Sequence, residues 1–377
     1  MSLGPKEEAE AGLRDHGRKE YSRRRRRRAS EPSLKITAFL AWRLRSRSLL
    51  CGAAYLYLLA FALLSVSCWW HLFSEKATTA AAENSENMAA AKATPRLVKA
   101  FVPGQKMMEG GGVPVYRTIG TSAMRNLDPF LMLDEFKSPS KDASMGFPDH
   151  PHRGFETCTI MLKGSVEHRD HGGNKGLVGP GGIQFMSAGR GIVHSEFPKS
   201  KGDDMLWGFQ LWINLPRKDK MCTPRYQDYE ADKIPIFSGE SHSVRVFSGE
   251  HSGVKGPVAL KIPGFLLDVR LEAGGSFSHD FPEHWNSFAY VYDAEGNGTL
   301  AGAPPRVRES HIFDHKGSLL EASTEGTLKF LLFGAEPIKE PIVQYGPFVM
   351  NTEEEIQQAF MDFRTGKLQA SEVEMMK

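Results

Sequence analysis

"GFPDHPHRGFET", residues 146–157, places His150 and His152 one residue apart and follows them with a glycine and a glutamate. On an extended strand, residues two apart point to the same side, so both imidazoles aim at one locus. The same alternation brings Glu156 to that side if the strand stays regular past Gly154. Further along, "SAGRGIVHSEFP" (187–198) gives His194 and Glu196 a shared face by the same rule. Two such pairs converge when their strands are neighbours in a small β-barrel, which makes this stretch the key to the fold.

The surrounding chain reads as short strands separated by turns, a spacing that suggests a barrel or a sandwich. "DPFLMLDEF" (128–136), "TCTIMLKG" (157–164), "GGIQFMSAG" (181–189) and "MLWGFQLWINL" (205–215) are rich in branched and aromatic residues and are edged by Gly or Pro. A second set, "SVRVFSGE", "FLLDVRLEAGG", "SFAYVYDAEGNGTLAG" and "LKFLLFG", lies within 243–334 and reads as a loose duplication of the first. The 37 glycines and 22 prolines suit many tight turns between short strands. Between the sets, "PRKDKMCTPRYQDYEADKIP" (216–235) is polar and proline-containing, as a linker is. Near the end the period changes: Thr352 and Glu355 form a capping box, and Ile356, Ala359, Phe360 and Phe363 fall on one helical face. Gly366 supplies a stop.

Charge is unevenly distributed. The chain carries a formal +2, but residues 1–48 hold 14 Lys/Arg against 6 Asp/Glu, a net +8 that leaves −6 for the rest. A mildly acidic body argues against a broad nucleic-acid-binding face, which needs clustered Lys and Arg. The basic arm includes the run Arg23–Arg28, a pattern that also serves as a nuclear address. Leu49–Phe73 then lacks Asp, Glu, Lys and Arg altogether. As a helix rising ~1.5 Å per residue it would span the ~30 Å hydrocarbon layer, with the N-terminus on the cytoplasmic side. Met88 offers a start for a shorter product, so membrane anchoring is expected only if residues 1–87 are retained. The four cysteines, Cys51, Cys68, Cys158 and Cys222, form no disulfide framework, and Cys158 reads as a small core residue.

Three neutral imidazoles and one carboxylate make a nitrogen/oxygen set that suits a first-row metal such as Fe, with Mn, Ni, Cu or Zn compatible. Either Glu156 or Glu196 could supply the carboxylate. His168 and His171, in "EHRDHGGNKG", read as loop residues at the pocket mouth. Trp207, Phe209 and Trp212 serve as pocket lining or as core. His279 and His284, in "SFSHDFPEHWNSF", lack the H-x-H spacing and fall on opposite faces of an extended segment, so they read as surface or interdomain residues without metal.

"NLDPFLMLDEF", "GFPDHPHRGFET", "AGRGIVHSE", "FQLWINL" and "EPIVQYGPFVMNTEEEI" together resemble the pirin family of bicupin proteins, over about Val98 to Lys367. The resemblance implies an all-β fold of two cupin β-barrel domains with a C-terminal helix, behind an N-terminal extension foreign to the family. The expected organisation is a basic arm (1–48), a transmembrane helix (49–73), a linker (74–97) and a metal-binding N-terminal cupin domain (98–217). A linker (218–240), a C-terminal cupin domain without metal (241–335) and a final segment (336–377) with its helix over 353–364 complete it. The resemblance further implies one Fe ion per chain, bound by His150, His152, His194 and Glu196. Glu156 then becomes a support beside the site.

Two functions follow from the resemblance. The first is a redox-sensitive transcriptional co-regulator of nucleus and cytoplasm, monomeric, acting through transcription-regulating or signalling proteins rather than by direct sequence-specific DNA binding. The second is an iron-dependent enzyme of the quercetin 2,3-dioxygenase type, taking a flavonol and O2, with Glu196 as catalytic base. A bicupin serving only as a scaffold is a third possibility.

Overall fold

The computed structural model of the chain describes residues 93–199, 204–370 and 372–376. The basic arm, the apolar run Leu49–Phe73 and most of the following linker lie outside the described residues. Among the described residues no helix is long and apolar enough to cross a membrane.

The described chain is mostly β, in two barrels. The first is built on an eight-stranded sheet in the order Gln105–Glu109, Val113–Arg117, Phe130–Pro139, Met205–Asn214, Phe155–Lys163, Ile183–Ser187, Arg225–Tyr229 and Glu374–Met376. A four-stranded sheet completes it, in the order Phe147–His152, Ile192–Pro198, Val166–Asp170 and Lys175–Val178. The second barrel joins a seven-stranded sheet to a three-stranded one made of Ser276–Asp280, Leu319–Thr324 and Gly298–Leu300.

The two large sheets pack face to face, so their central strands are apolar on both sides. Along Thr327–Ala335, Leu331 and Phe333 enter the core between the barrels, while Leu328, Phe330 and Leu332 fill the second barrel. Phe209, Leu211 and Ile213 meet the same shared core from the first barrel. Alternation along a strand thus divides its residues between two cores, and the sequence reads as a continuous apolar run. Rings interlock across the seam: Phe130 and Phe288 stand 5.1 Å apart, Phe209 and Tyr290 5.5 Å. Buried Glu135 ties the barrels by accepting from Trp207 Nε1 (2.8 Å), the Tyr290 hydroxyl (2.8 Å) and Arg308 Nε (3.2 Å).

The observed pairing differs from the expected domain limits at three places. Val98–Pro103, read as the start of the first domain, instead pairs antiparallel with Glu309–Phe313 of the second barrel. The segment 218–240, read as linker, contains Arg225–Tyr229 of the first sheet and Ile236–Ser238 at the edge of the second. The C-terminal strand Glu374–Met376 runs back to pair in parallel with Arg225–Tyr229. Each of these short strands covers an open sheet edge, and edge pairing over such distances leaves no local signal in the sequence.

The single α-helix of the described residues spans Glu353–Arg364. Thr352 Oγ1 accepts from Glu355 N (3.2 Å), and Glu355 Oε2 accepts from Thr352 N (3.0 Å), so the capping box is complete. Ile356 and Ala359 are buried with Phe348 and Leu368, which lays the helix on the hairpin Val343–Tyr345/Phe348–Met350. That hairpin meets the first barrel at Arg153, whose backbone N–H and C=O both bond to it.

Candidate metal centre

Strands Phe147–His152 and Ile192–Pro198 run antiparallel with His150 opposite His194 and His152 opposite Ile192. This register converges three imidazoles on one point inside the barrel. Ring centres are 4.6 Å apart for His150 and His152, 4.5 Å for His150 and His194, and 5.0 Å for His152 and His194. One nitrogen from each ring lies within 4.8 Å of the others.

His152 and His194 are 2 % and 1 % exposed, and their ring nitrogens have no hydrogen-bond partner. Unpartnered buried nitrogens are costly unless something else occupies them. Burial, followed by the neighbouring His150, holds both rings well below the usual histidine range, and for His194 the His152 ring adds to this. They are therefore neutral, as metal ligation requires. His150 is partly exposed, and its Nδ1 lies 2.8 Å from the Pro148 carbonyl, which fixes a proton there and leaves Nε2 free. Phe155 and Trp212 bracket His152 at 5.1 and 5.2 Å.

Glu196 stands on the strand of His194, 4 % exposed, but outside this compact group. Its carboxylate accepts from Gln210 Nε2 at 3.1 Å and from Thr159 Oγ1 at 3.3 Å. Trp212 Nε1, which can only donate, points at Gln210 Oε1 (3.1 Å) and so turns the amide nitrogen toward Glu196. A cavity of about 720 Å³ opens on this assembly, with His150, His152, Trp212, Gln210, Leu131 and Arg117 among its walls. Gln210 and Thr159 carried no signal in the sequence beyond their parity with Trp212 and Phe155.

Glu156 is not beside the imidazoles. Gly154, at φ +87°, breaks the regular strand, after which Phe155 faces His152 and Glu156 turns to the opposite side with Cys158. There it is fully buried and accepts from Ser187 Oγ at 2.5 Å. Burial pushes its carboxyl up to about 7, against the Ser187 hydrogen bond and the charges of Arg225 and Lys261. The sign of the pH effect is therefore opposite to that of an ordinary paired carboxylate. Between pH 4.5 and about 7 the folded state binds more protons than the unfolded one, so stability falls as pH rises. In urea titrations the parent protein should lose about 3 kcal/mol across that window relative to a Glu156→Gln variant. Parallel pH profiles for the two proteins would refute this assignment.

The turn at Gly154 sets the side to which His152 is presented. A Cβ there would stand 2.0 Å from the Val349 carbonyl oxygen, in a backbone region L-residues avoid. Gly154→Ala should cost about 2–4 kcal/mol in unfolding free energy. Thermal and urea denaturation would check it, and a change under 1 kcal/mol would mean the turn tolerates a side chain.

Other expected residues fall in different places. His168 is not at the pocket mouth: it is a strand residue, fully buried, with Nε2 2.8 Å from Asp228 and its ring 4.6 Å from Tyr226. His171 lies in a turn and accepts from Val193 N (3.2 Å). Trp207 and Phe209 face the seam between the barrels, and only Trp212 of the three aromatics reaches the cavity. His284 is exposed near Glu336, whereas His279 is buried inside the second barrel rather than at a surface or interdomain position. Cys158 is a buried core residue, and burial raises its thiol above the usual range.

Two cupin barrels, the first holding a buried three-histidine cluster, define a bicupin with one candidate metal centre. The family model for Pirin matches residues 112–213, and that for the Pirin C-terminal cupin domain matches 266–369. The chain belongs to the pirin family. It is 46% identical over 277 residues to a pirin-like protein of Solanum lycopersicum, covering 72% of this chain and 93% of the relative. It is 40% identical over 270 residues to human pirin, covering 71% and 91%. The crystal structure of quercetin 2,3-dioxygenase from Acinetobacter baumannii superimposes with a TM-score of 0.67 at 32% identity, covering 74% of this chain and all of that one. The neutral, unpartnered nitrogens of His152 and His194 fit a metal ion.

Proposed function

We propose that this pirin-family protein is an iron-dependent dioxygenase acting on flavonol-type aromatic enols. The observation that carries the reading is the 720 Å³ cavity with an aromatic wall, lined by His150 and His152 of the three-imidazole cluster. It is of the size and mixed character of small-molecule sites. The likeness to the quercetin 2,3-dioxygenase structure supports the same substrate class.

In this reading His150, His152, His194 and Glu196 hold the ion, which supplies Lewis acidity and redox capacity toward dioxygen. The protein's own groups do the rest. Leu131 and Trp212 offer apolar surface to the flat rings of the substrate and exclude water. Glu196 takes the proton from the substrate hydroxyl, and Gln210, locked by Trp212, holds the carboxylate in place for that transfer.

Oxygen-electrode measurements on the iron-loaded protein with a flavonol test the proposal. Uptake should be lost in Glu196→Gln by about 10²–10⁴-fold, the usual contribution of a positioned base. No flavonol-dependent uptake by iron-loaded protein would overturn it.

The second reading is a redox-sensitive co-regulator working through protein partners in the nucleus. Its support is that His150 and Asp149 line the cavity close to the surface, where a change of one charge at the ion alters the local field. Partner affinity that ignores the iron oxidation state would remove it.

A further inference from the structure

The second barrel contains a histidine pair that the sequence does not bring together. Its strand pair Ser276–Asp280 and Leu319–Thr324 occupies the sheet position that Phe147–His152 and Ile192–Pro198 hold in the first barrel. There His279 stands opposite Leu320, as His150 stands opposite His194. Two residues further along each strand come Phe281 and Ala322, where the first barrel has His152 and Glu196. One of the four positions thus keeps a ligating side chain, and the fold supplies a new partner for it. His251, from the hairpin Glu250–His251/Val254–Lys255, brings its Nδ1 to 3.2 Å from His279 Nδ1, with ring centres 5.2 Å apart.

We propose that His251 and His279 form a second metal site, taking a divalent first-row ion that favours imidazole, such as Zn²⁺. Two imidazoles bound to a tetrahedral ion at ~2.0–2.1 Å place their nitrogens about 3.3 Å apart and their ring centres about 5.2 Å apart. The pair matches both spacings without movement. His251 and His279 are 4 % and 8 % exposed, and burial, followed by a histidine neighbour, lowers them to about 4 and about 3, so both rings are neutral. Ser252 Oγ lies 3.4 Å from His251 Nε2 and can accept its proton, leaving Nδ1 for the ion. His279 Nε2 is buried without a partner. A cavity of about 530 Å³, lined by His251, Ser252 and His242 but not by His279, opens beside the pair on the His251 side.

The test removes the first centre and reads the second alone. The full chain carrying His150→Ala and His194→Ala is titrated with Co²⁺, whose visible absorption is intense only in near-tetrahedral sites. One ion per chain is expected, displaced by Zn²⁺, and adding His279→Phe should weaken binding at least tenfold. His251→Phe, on the hairpin, is the second variant should the first fail to fold by circular dichroism, and it should act equally. No Co²⁺ uptake by the folded double variant would mean the pair merely shares a proton. Uptake indifferent to both phenylalanines would place the ion elsewhere, and either result overturns the proposal.

Discussion

A His194→Ala variant is expected to purify without metal at the first barrel, whereas the parent protein retains one ion there. His194 lies on the strand facing the H-x-H pair, and its ring meets both His150 and His152 at 4.5–5.0 Å. Its removal leaves two imidazoles on one strand and opens a buried hole on the other. Loss of a supporting group around a metal typically costs 10–100-fold in affinity, and loss of a ligand should cost at least about 100-fold. Metal analysis combined with chelator competition measures this, with circular dichroism confirming the fold. Retention of the ion at parent affinity would show that the histidine cluster is not the metal centre. The same variant should take up no oxygen with flavonol, which links the site to the proposed chemistry.

Lys220→Met should produce the largest loss of stability among single substitutions near the site. Lys220 is 1 % exposed and donates to three oxygens: Gly154 O at 2.8 Å, Asn214 Oδ1 at 2.7 Å and Val349 O at 2.9 Å. Burial pulls its ammonium down to about 7, with Glu340 and Glu355 opposing. Methionine fills the space but donates nothing, so Asn214 Oδ1 and Val349 O lose this donor and Gly154 O is left with Leu215 N at 3.4 Å. At about 1–3 kcal/mol for each such group, partly relieved by relaxation, the cost should be about 3–5 kcal/mol. Urea unfolding would measure it, and a loss below 1 kcal/mol would show that water replaces the ammonium. Because Gly154 and Val349 belong to the His152 turn and to the hairpin beside it, metal affinity should fall as well. Arg153 reinforces the same junction, since its Nη1 meets Asp362 of the helix at 2.9 Å while its Nε donates to the Arg190 carbonyl.

Much of this molecule is local in origin and therefore legible along the chain. The H-x-H spacing places His150 and His152 on one side by strand parity, which depends only on the backbone repeat of two. The capping box at Thr352 and Glu355 fixes the start of the helix within four residues. Parity failed where one residue changed the backbone: Gly154 adopts a positive φ, and Glu156 is carried from the imidazole side to the seam between the barrels. Composition misled for His168, whose place in a Gly-rich segment suggested a loop although it lies on a strand and its ring packs on Tyr226.

The residues by themselves determined two sets of short strands, the shared side of His150 and His152 and the closing helix, because each is encoded in residue types at fixed short intervals; the two cupin barrels rest on the resemblance to the pirin family. Tertiary structure decided which of Trp207, Phe209 and Trp212 line a cavity, since that depends on which sheet faces which core. It also decided that Gln210 holds Glu196, that Lys220 ties Gly154 to Val349, and that His251 meets His279. Those contacts join residues distant along the chain through sheet register and edge pairing, whose energies are settled only when the whole chain closes.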